Sequence, residues 1–102
     1  MRKYYIYILR CKGNELYTGI TTDVAKRFED HKAGKGAKYT KSHAPTGIEA
    51  VWETNDKGKA LKLEFRIKQL IKEEKEELIK DNSKLKSYFK GILDLRSYRR
   101  KK

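Results

Sequence analysis

Five side chains stand out for the chemistry their types allow: the phenols of Tyr7 and Tyr17, the guanidinium of Arg27, the imidazole of His31 and the carboxylate of Glu64. A phenol oxygen can hold a water or a proton. A guanidinium is a planar fork that fits two oxygens of a phosphate. An imidazole changes charge near neutral pH. A carboxylate takes a hard cation through oxygen. Each residue also has an ordinary explanation when taken singly. Tyr7 and Tyr17 suit strands, Arg27 a surface, His31 the polar flank of a helix, and Glu64 an i, i+4 pair with Lys68. Their order and spacing therefore decide the reading, and these depend on the elements that carry them.

Tyr4 to Arg10 alternates as a strand, with Tyr5, Tyr7 and Leu9 on one face and Tyr4, Ile6, Ile8 and Arg10 on the other. Gly13-Asn14 is a turn signal, and Leu16 to Ile20 makes the second strand of an antiparallel hairpin. Thr21-Thr22-Asp23 stops that strand and offers an N-cap for a helix from about Val24 to Ala33, closed by Gly34. On this helix Arg27 and His31 are one turn apart, beside the stripe of Val24 and Phe28.

GKGAKYTKSHAPTG, residues 34 to 47, reads as a loop, with His43 an ordinary loop residue. Ile48 to Trp52 reads as a third strand, with Trp52 in the core. Thr54, Asn55 and Asp56 offer caps for a long helix from Lys57 to about Ile71, whose apolar stripe contains Glu64. KEEKEELIKDN continues as a shorter helix with a solvated charged face. The rest keeps apolar anchors such as Leu85, Phe89 and Leu93 and ends RSYRRKK.

Composition narrows the partners. The 102 residues suit one small domain. There are 26 Lys and Arg against 14 Asp and Glu, a net charge of +12, which favours a polyanion over a membrane or an acidic protein. Cys11 is the lone cysteine, which excludes an intrachain disulfide and a thiolate zinc cluster and fits a reducing compartment. The apolar run from Tyr4 to Leu9 is too short for a signal peptide, and no stretch approaches the length of a spanning helix. The expectation is a soluble cytoplasmic protein.

With the elements in place, the ordered set resembles the GIY-YIG nuclease family, in which two signature tripeptides on neighbouring strands are followed by an Arg on the next helix and a Glu on a later one. Tyr5-Ile6-Tyr7 stands for the first tripeptide, with Tyr5 replacing its glycine, and Tyr17-Thr18-Gly19 for the second, with Thr18 replacing its isoleucine. Arg27 comes ten residues after Tyr17, His31 one turn later, and Glu64 falls where the family has its metal carboxylate. The phrases LYTGIT and GAKYT are similar to those of small stand-alone bacterial members of the YhbQ/YazA type. Where several nucleases carry an Asn about three turns after the Glu, this chain has Glu76, with Asn82 later. Where DNA-repair members carry a Lys after the second tripeptide, it has Ile20.

The resemblance implies an α/β (α+β) fold, a three-stranded antiparallel sheet flanked by helices over residues 1–82. Residues 83–102 form an extension that packs on the domain, basic and frayed at its end. It implies a metal-dependent endonuclease that hydrolyses phosphodiester bonds, in DNA repair or processing, with structure-selective cleavage among its expected forms. Tyr7 would take a proton from the attacking water. Tyr17 would orient water or phosphate, His31 would assist or relay, Arg27 would neutralise phosphate charge, and Glu64 would hold Mg²⁺ or Mn²⁺. An ordinary tyrosine has a pKa of about 10, so Tyr7 needs nearby cations to lower it before it is a base at neutral pH. Lys35, Lys38, Tyr39 and Lys41 in the loop, with Arg99 and Arg100 at the end, are expected to contact nucleic acid, DNA more than RNA. The competing readings are a non-catalytic nucleic-acid-binding module that keeps the fold and, behind it, a protein-interaction domain using the Glu/Lys helix.

Overall fold

The structure is a computed structural model that describes residues 2–102. The hairpin forms as its turn chemistry demands. Strand β1 (Tyr4–Cys11) and strand β2 (Glu15–Thr21) pair antiparallel, and the chain reverses through Gly13 and Asn14, which both take positive φ. Strand β3 (Pro45–Thr54) pairs with the other side of β1, again antiparallel. A two-residue strand β4 (Arg99–Arg100) adds to β3, so the order is β2-β1-β3-β4.

Both faces of β1 are covered, which is why its central residues from Ile6 to Leu9 are all buried rather than alternating. On one face Ile6, Ile8, Ala50 and Trp52 meet three helices: α3 (Lys57–Lys68) through Ala60, Leu63 and Ile67, α4 (Lys72–Lys80) through Leu78, and α5 (Lys84–Phe89) through Leu85 and Phe89. On the other face Tyr7, Leu9, Cys11 and Val51 meet α1 (Val24–Lys32) through Val24 and Phe28, and the short α2 (Lys38–Ser42) through Tyr39. Asp23 and Asp56 cap α1 and α3 as expected, accepting from the backbone N–H groups of Lys26 and Lys59. Trp52 lies wholly in the core, and its indole N–H donates to Asn82 at 2.8 Å.

Three sequence expectations change. The sheet has four strands, not three, because the basic end is anchored instead of frayed. The Arg100 guanidinium donates to the carbonyls of Leu78 and Ile79 in the last turn of α4 and lies 5.0 Å from the Trp52 ring centre. Lys101 adds a backbone bond to Val51. Part of the lysine-rich loop is helical, as α2. The charged face of α4 is not wholly solvated: Glu76 accepts two bonds from Arg10 of β1, at 2.6 and 2.7 Å, while Arg10 also donates to Glu49 at 2.8 Å. Glu76 is thus committed to fastening α4 to the sheet.

Thr18 shows a local conflict. It belongs to the face of β2 whose neighbours Leu16 and Ile20 pack on the α3 core, and its hydroxyl is buried without a hydrogen-bond partner. Such a hydroxyl costs about 1–3 kcal/mol. Thr18→Val is expected to raise the urea midpoint by about 1 kcal/mol of stability with an unchanged m-value; a lower midpoint would contradict this account. The ion pair makes a pH prediction. The Arg10 guanidinium holds the Glu76 carboxyl below its usual range. Its stabilisation is therefore present above that range and is lost as pH falls through the folded pKa. Glu76→Gln should cost about 1–3 kcal/mol at pH 7 and flatten the acid side of the stability–pH curve.

Candidate active site

Tyr7 lies on β1 opposite Gly19 of β2, and its phenol reaches across that neighbour. A Cβ at Gly19 would sit 2.4 Å from the Tyr7 hydroxyl oxygen, so the glycine that ends the second tripeptide is the space the phenol occupies. On the same face α1 brings His31 inward. His31 is fully buried, not a polar flank as its position beside the stripe suggested. Its Nε2 lies 2.9 Å from the Tyr7 hydroxyl and its Nδ1 2.8 Å from the Thr40 hydroxyl. Gly36 presses on the other side of the ring, where a Cβ would come within 2.0 Å of Nδ1.

The direction of this chain follows from proton counting. The Thr40 hydroxyl donates its one proton to the Ala37 carbonyl at 2.8 Å. It must then accept from His31, so Nδ1 carries the hydrogen and Nε2 is the free acceptor. Tyr7 therefore donates to His31. Burial pushes His31 below its ordinary pKa, and the nearby Arg27 charge pushes the same way against a weaker pull from Asp30, which keeps the ring neutral. Burial also raises Tyr7, to about 12; Tyr17 and Glu64 add to the rise, while Arg27 opposes it. The net lowering that a tyrosine base would need is not supplied by Arg27, because desolvation outweighs it.

The remaining candidates converge on the same phenol from different elements. Tyr17, half-buried on β2, has its ring centre 6.4 Å from Tyr7 and 5.3 Å from His31. Arg27 on α1 and Glu64 on α3 both lie within electrostatic reach of the Tyr7 oxygen. Arg27 also lines a shallow depression of about 420 Å³ with Ile20, Thr21, Lys26 and Asp30. Glu64 is largely shielded, its side chain 18% exposed, and pairs with Lys68 at 3.2 Å.

Lys35, Lys38 and Lys41 are exposed, and Tyr39 is half-buried. Arg99 is exposed, whereas Arg100 is occupied as the cap of α4, which withdraws it from the surface set expected to meet nucleic acid. Thr40, Gly19 and Gly36 are the residues that sequence reasoning did not single out. Thr40 gives no signal by spacing, since it meets His31 only when α2 folds against α1. Gly19 was legible only as a motif letter, without the steric reason.

Among the described residues no group of three or more His, Cys, Asp or Glu side chains is placed to hold a metal, and no helix is long and apolar enough to cross a membrane. A single shielded carboxylate still fits Mg²⁺, which keeps several waters and is usually held by one or two carboxylates together with substrate phosphate.

Comparison with known proteins places the chain in a family. Residues 3–88 match the family model of the GIY-YIG catalytic domain. The chain is 44% identical to the UPF0213 protein FN1575 of Fusobacterium nucleatum, over 97% of this chain and 96% of that one. It is 39% identical to the UPF0213 protein YhbQ of Salmonella arizonae, over 90% and 92%. The solution NMR structure of the UPF0213 protein BH0048 from Bacillus halodurans is 42% identical and superposes with a TM-score of 0.51, covering 76% of this chain and 83% of that one. The motif match extends over most of the chain and its small relatives are matched nearly end to end, so this chain belongs to the GIY-YIG family as a small member of the YhbQ type.

Proposed function

We propose that the chain is a metal-dependent endonuclease that hydrolyses phosphodiester bonds of DNA. The observation that carries this reading is the buried run Tyr7–His31–Thr40, ordered so that a neutral imidazole accepts from the phenol beside Arg27 and Glu64.

The chain's own groups divide the work. A tyrosine with a raised pKa is no phenolate at neutral pH, so Tyr7 does not act as a base by itself. It acts as a relay: as its oxygen takes a proton from the attacking water, its own proton passes to His31 Nε2. The resulting imidazolium keeps its Nδ1–H bond to Thr40. The hydroxide equivalent bonds to phosphorus as one bridging P–O bond breaks, the leaving oxygen takes a proton from solvent, and the imidazolium later returns its proton through Tyr7, so the proton count balances. Arg27 forks onto the non-bridging phosphate oxygens and offsets the charge that grows there. Tyr17, against both Tyr7 and His31, positions the water or the phosphate. Glu64 would hold Mg²⁺ or Mn²⁺, which supplies Lewis-acid charge neutralisation when bound. The +12 charge and the exposed Lys35, Lys38 and Lys41 support a polyanionic substrate.

Incubation with nicked, branched and single-stranded DNA in Mg²⁺ tests this. Glu64→Gln should lower the cleavage rate about 100- to 1,000-fold; cleavage that survives it would remove Glu64 from the site. Steeply salt-dependent binding with no product would instead favour the non-catalytic binding module. The relay also sets the pH profile. His31 must be neutral to accept, and its pKa lies below the ordinary value of about 6.5. Cleavage should therefore rise through an acid limb below about pH 6.5 and stay level to above pH 8. Activity that climbs toward pH 10 would point to phenolate chemistry at Tyr7 instead.

A further inference from the structure

Three aromatic rings leave the site in a near-parallel run that the relay does not use. The Tyr17 ring lies 5.9 Å from Tyr39 with 13° between their planes, and Tyr39 lies 4.4 Å from His43 with 4° between theirs. Tyr39 lies in α2 and His43 is the residue that caps its C-terminal end, where the His43 backbone N–H donates to the Tyr39 carbonyl at 3.0 Å and sets their spacing. His43 is half-exposed. The Ser42 hydroxyl at 2.9 Å from its Nδ1 fixes the plane of the ring. Packing of the loop accounts for Tyr39, which touches the core around Tyr7. It does not account for an accessible ring held parallel to the stack at its outer end.

The segment that carries Tyr39 and His43 has charges of one sign, although Glu15 of β2 also lies within electrostatic reach of the Tyr39 phenol. From His31 to Ile48 the chain contains no Asp or Glu, while Lys35, Lys38 and Lys41 are exposed there. Lys38 and Lys41 lie one turn apart on α2, next to the stripe of Tyr39 and His43. A cationic row beside a row of stacked rings is the combination that binds a single nucleic-acid strand, with lysines along the phosphates and bases on the rings. A base within an intact duplex is already stacked on both faces and cannot use such a platform.

We infer that His43, held on Tyr39, is the end of a stacking platform that takes an unpaired nucleobase of single-stranded or frayed DNA beside the phosphate bound at Tyr17 and Arg27. The inference deepens the nuclease reading, since it rests on that reading for the position of the phosphate, and it assigns the substrate an unpaired nucleotide next to the cut. No pairing edge is read, so binding is tolerant of base identity.

Binding without catalysis tests it. Fluorescein-labelled single-stranded oligodeoxynucleotides, a blunt duplex of the same length and a fully abasic strand would be titrated in EDTA at low salt with the intact chain, His43→Ala and His43→Phe. His43→Ala should weaken single-strand binding about 5-fold or more, leave duplex and abasic binding within about 2-fold of the intact chain, and be rescued by His43→Phe. With the intact chain, a strand carrying 2-aminopurine should lose fluorescence on binding, a readout that does not depend on any variant folding. The inference is overturned by unquenched 2-aminopurine, by His43→Ala binding like the intact chain, by equal losses on the abasic strand, or by no single-strand binding at all. If the His43 effects appear and no DNA substrate is cut in Mg²⁺, the platform stands and the nuclease reading fails alone.

Discussion

The hydrogen bond from the Tyr7 hydroxyl to His31 Nε2, 2.9 Å long and buried, is the contact on which the rest of the site depends. Two polar groups have been taken out of water, and each must be satisfied internally. Tyr7 satisfies one ring nitrogen and Thr40 the other, while the Thr40 hydroxyl donates a hydrogen bond to the Ala37 carbonyl. This requirement ties together three elements that are separate in the chain: β1, α1 and α2. It also explains two glycines as steric necessities. Gly19 gives up its side-chain volume to the phenol, and Gly36 gives up its own to the imidazole. The tripeptide's glycine is thus the space that the buried phenol needs and not a flexible joint.

The same burial sets the electrostatics. Desolvation drives Tyr7 toward its neutral form and His31 toward its neutral form, in opposite pKa directions. A neutral donor facing a neutral acceptor is the arrangement in which a proton can move along the pair without first creating an isolated buried charge. Arg27 acts on both groups, lowering each, so it favours the phenolate and disfavours the imidazolium. The bound phosphate would offset much of that positive charge. The opposite face of the sheet is apolar at its centre. It is built from Ile6, Ile8, Trp52 and the apolar stripe of α3, with Arg10–Glu76 and Arg100 at its margins fixing where α4 lies. One layer of helices holds the framework while the other carries the polar chain, and Glu64 joins the site from the framework layer.

How much of this was legible depended on whether the signal was local. Strand alternation, the Gly13-Asn14 turn and the Asp23 and Asp56 caps are short-range, and they predicted the hairpin, α1 and the start of α3. The order Tyr7, Tyr17, Arg27, His31, Glu64 was readable as a motif, and the structure sets Tyr17 and His31 against Tyr7 with Arg27 and Glu64 within electrostatic reach. What the sequence hid was tertiary. Strand β4 exists because Arg100 finds the α4 carbonyls and the Trp52 face, partners 20 to 50 residues away on the order of chain separation that no local pattern reports. Thr40 and the depth of His31 became visible only when α2 closed over α1. The direction of the Tyr7 pKa was not legible either, because desolvation, the larger effect here, depends on the depth of burial.

The account's central claim is that His31 is a neutral ring with its hydrogen on Nδ1 and its Nε2 lone pair facing Tyr7. Long-range ¹⁵N–¹H NMR of the imidazole at pH 7 measures this directly. The account predicts a protonated Nδ1 and an unprotonated, hydrogen-bonded Nε2 for His31. A ring protonated at Nε2, or an imidazolium at that pH, would contradict it.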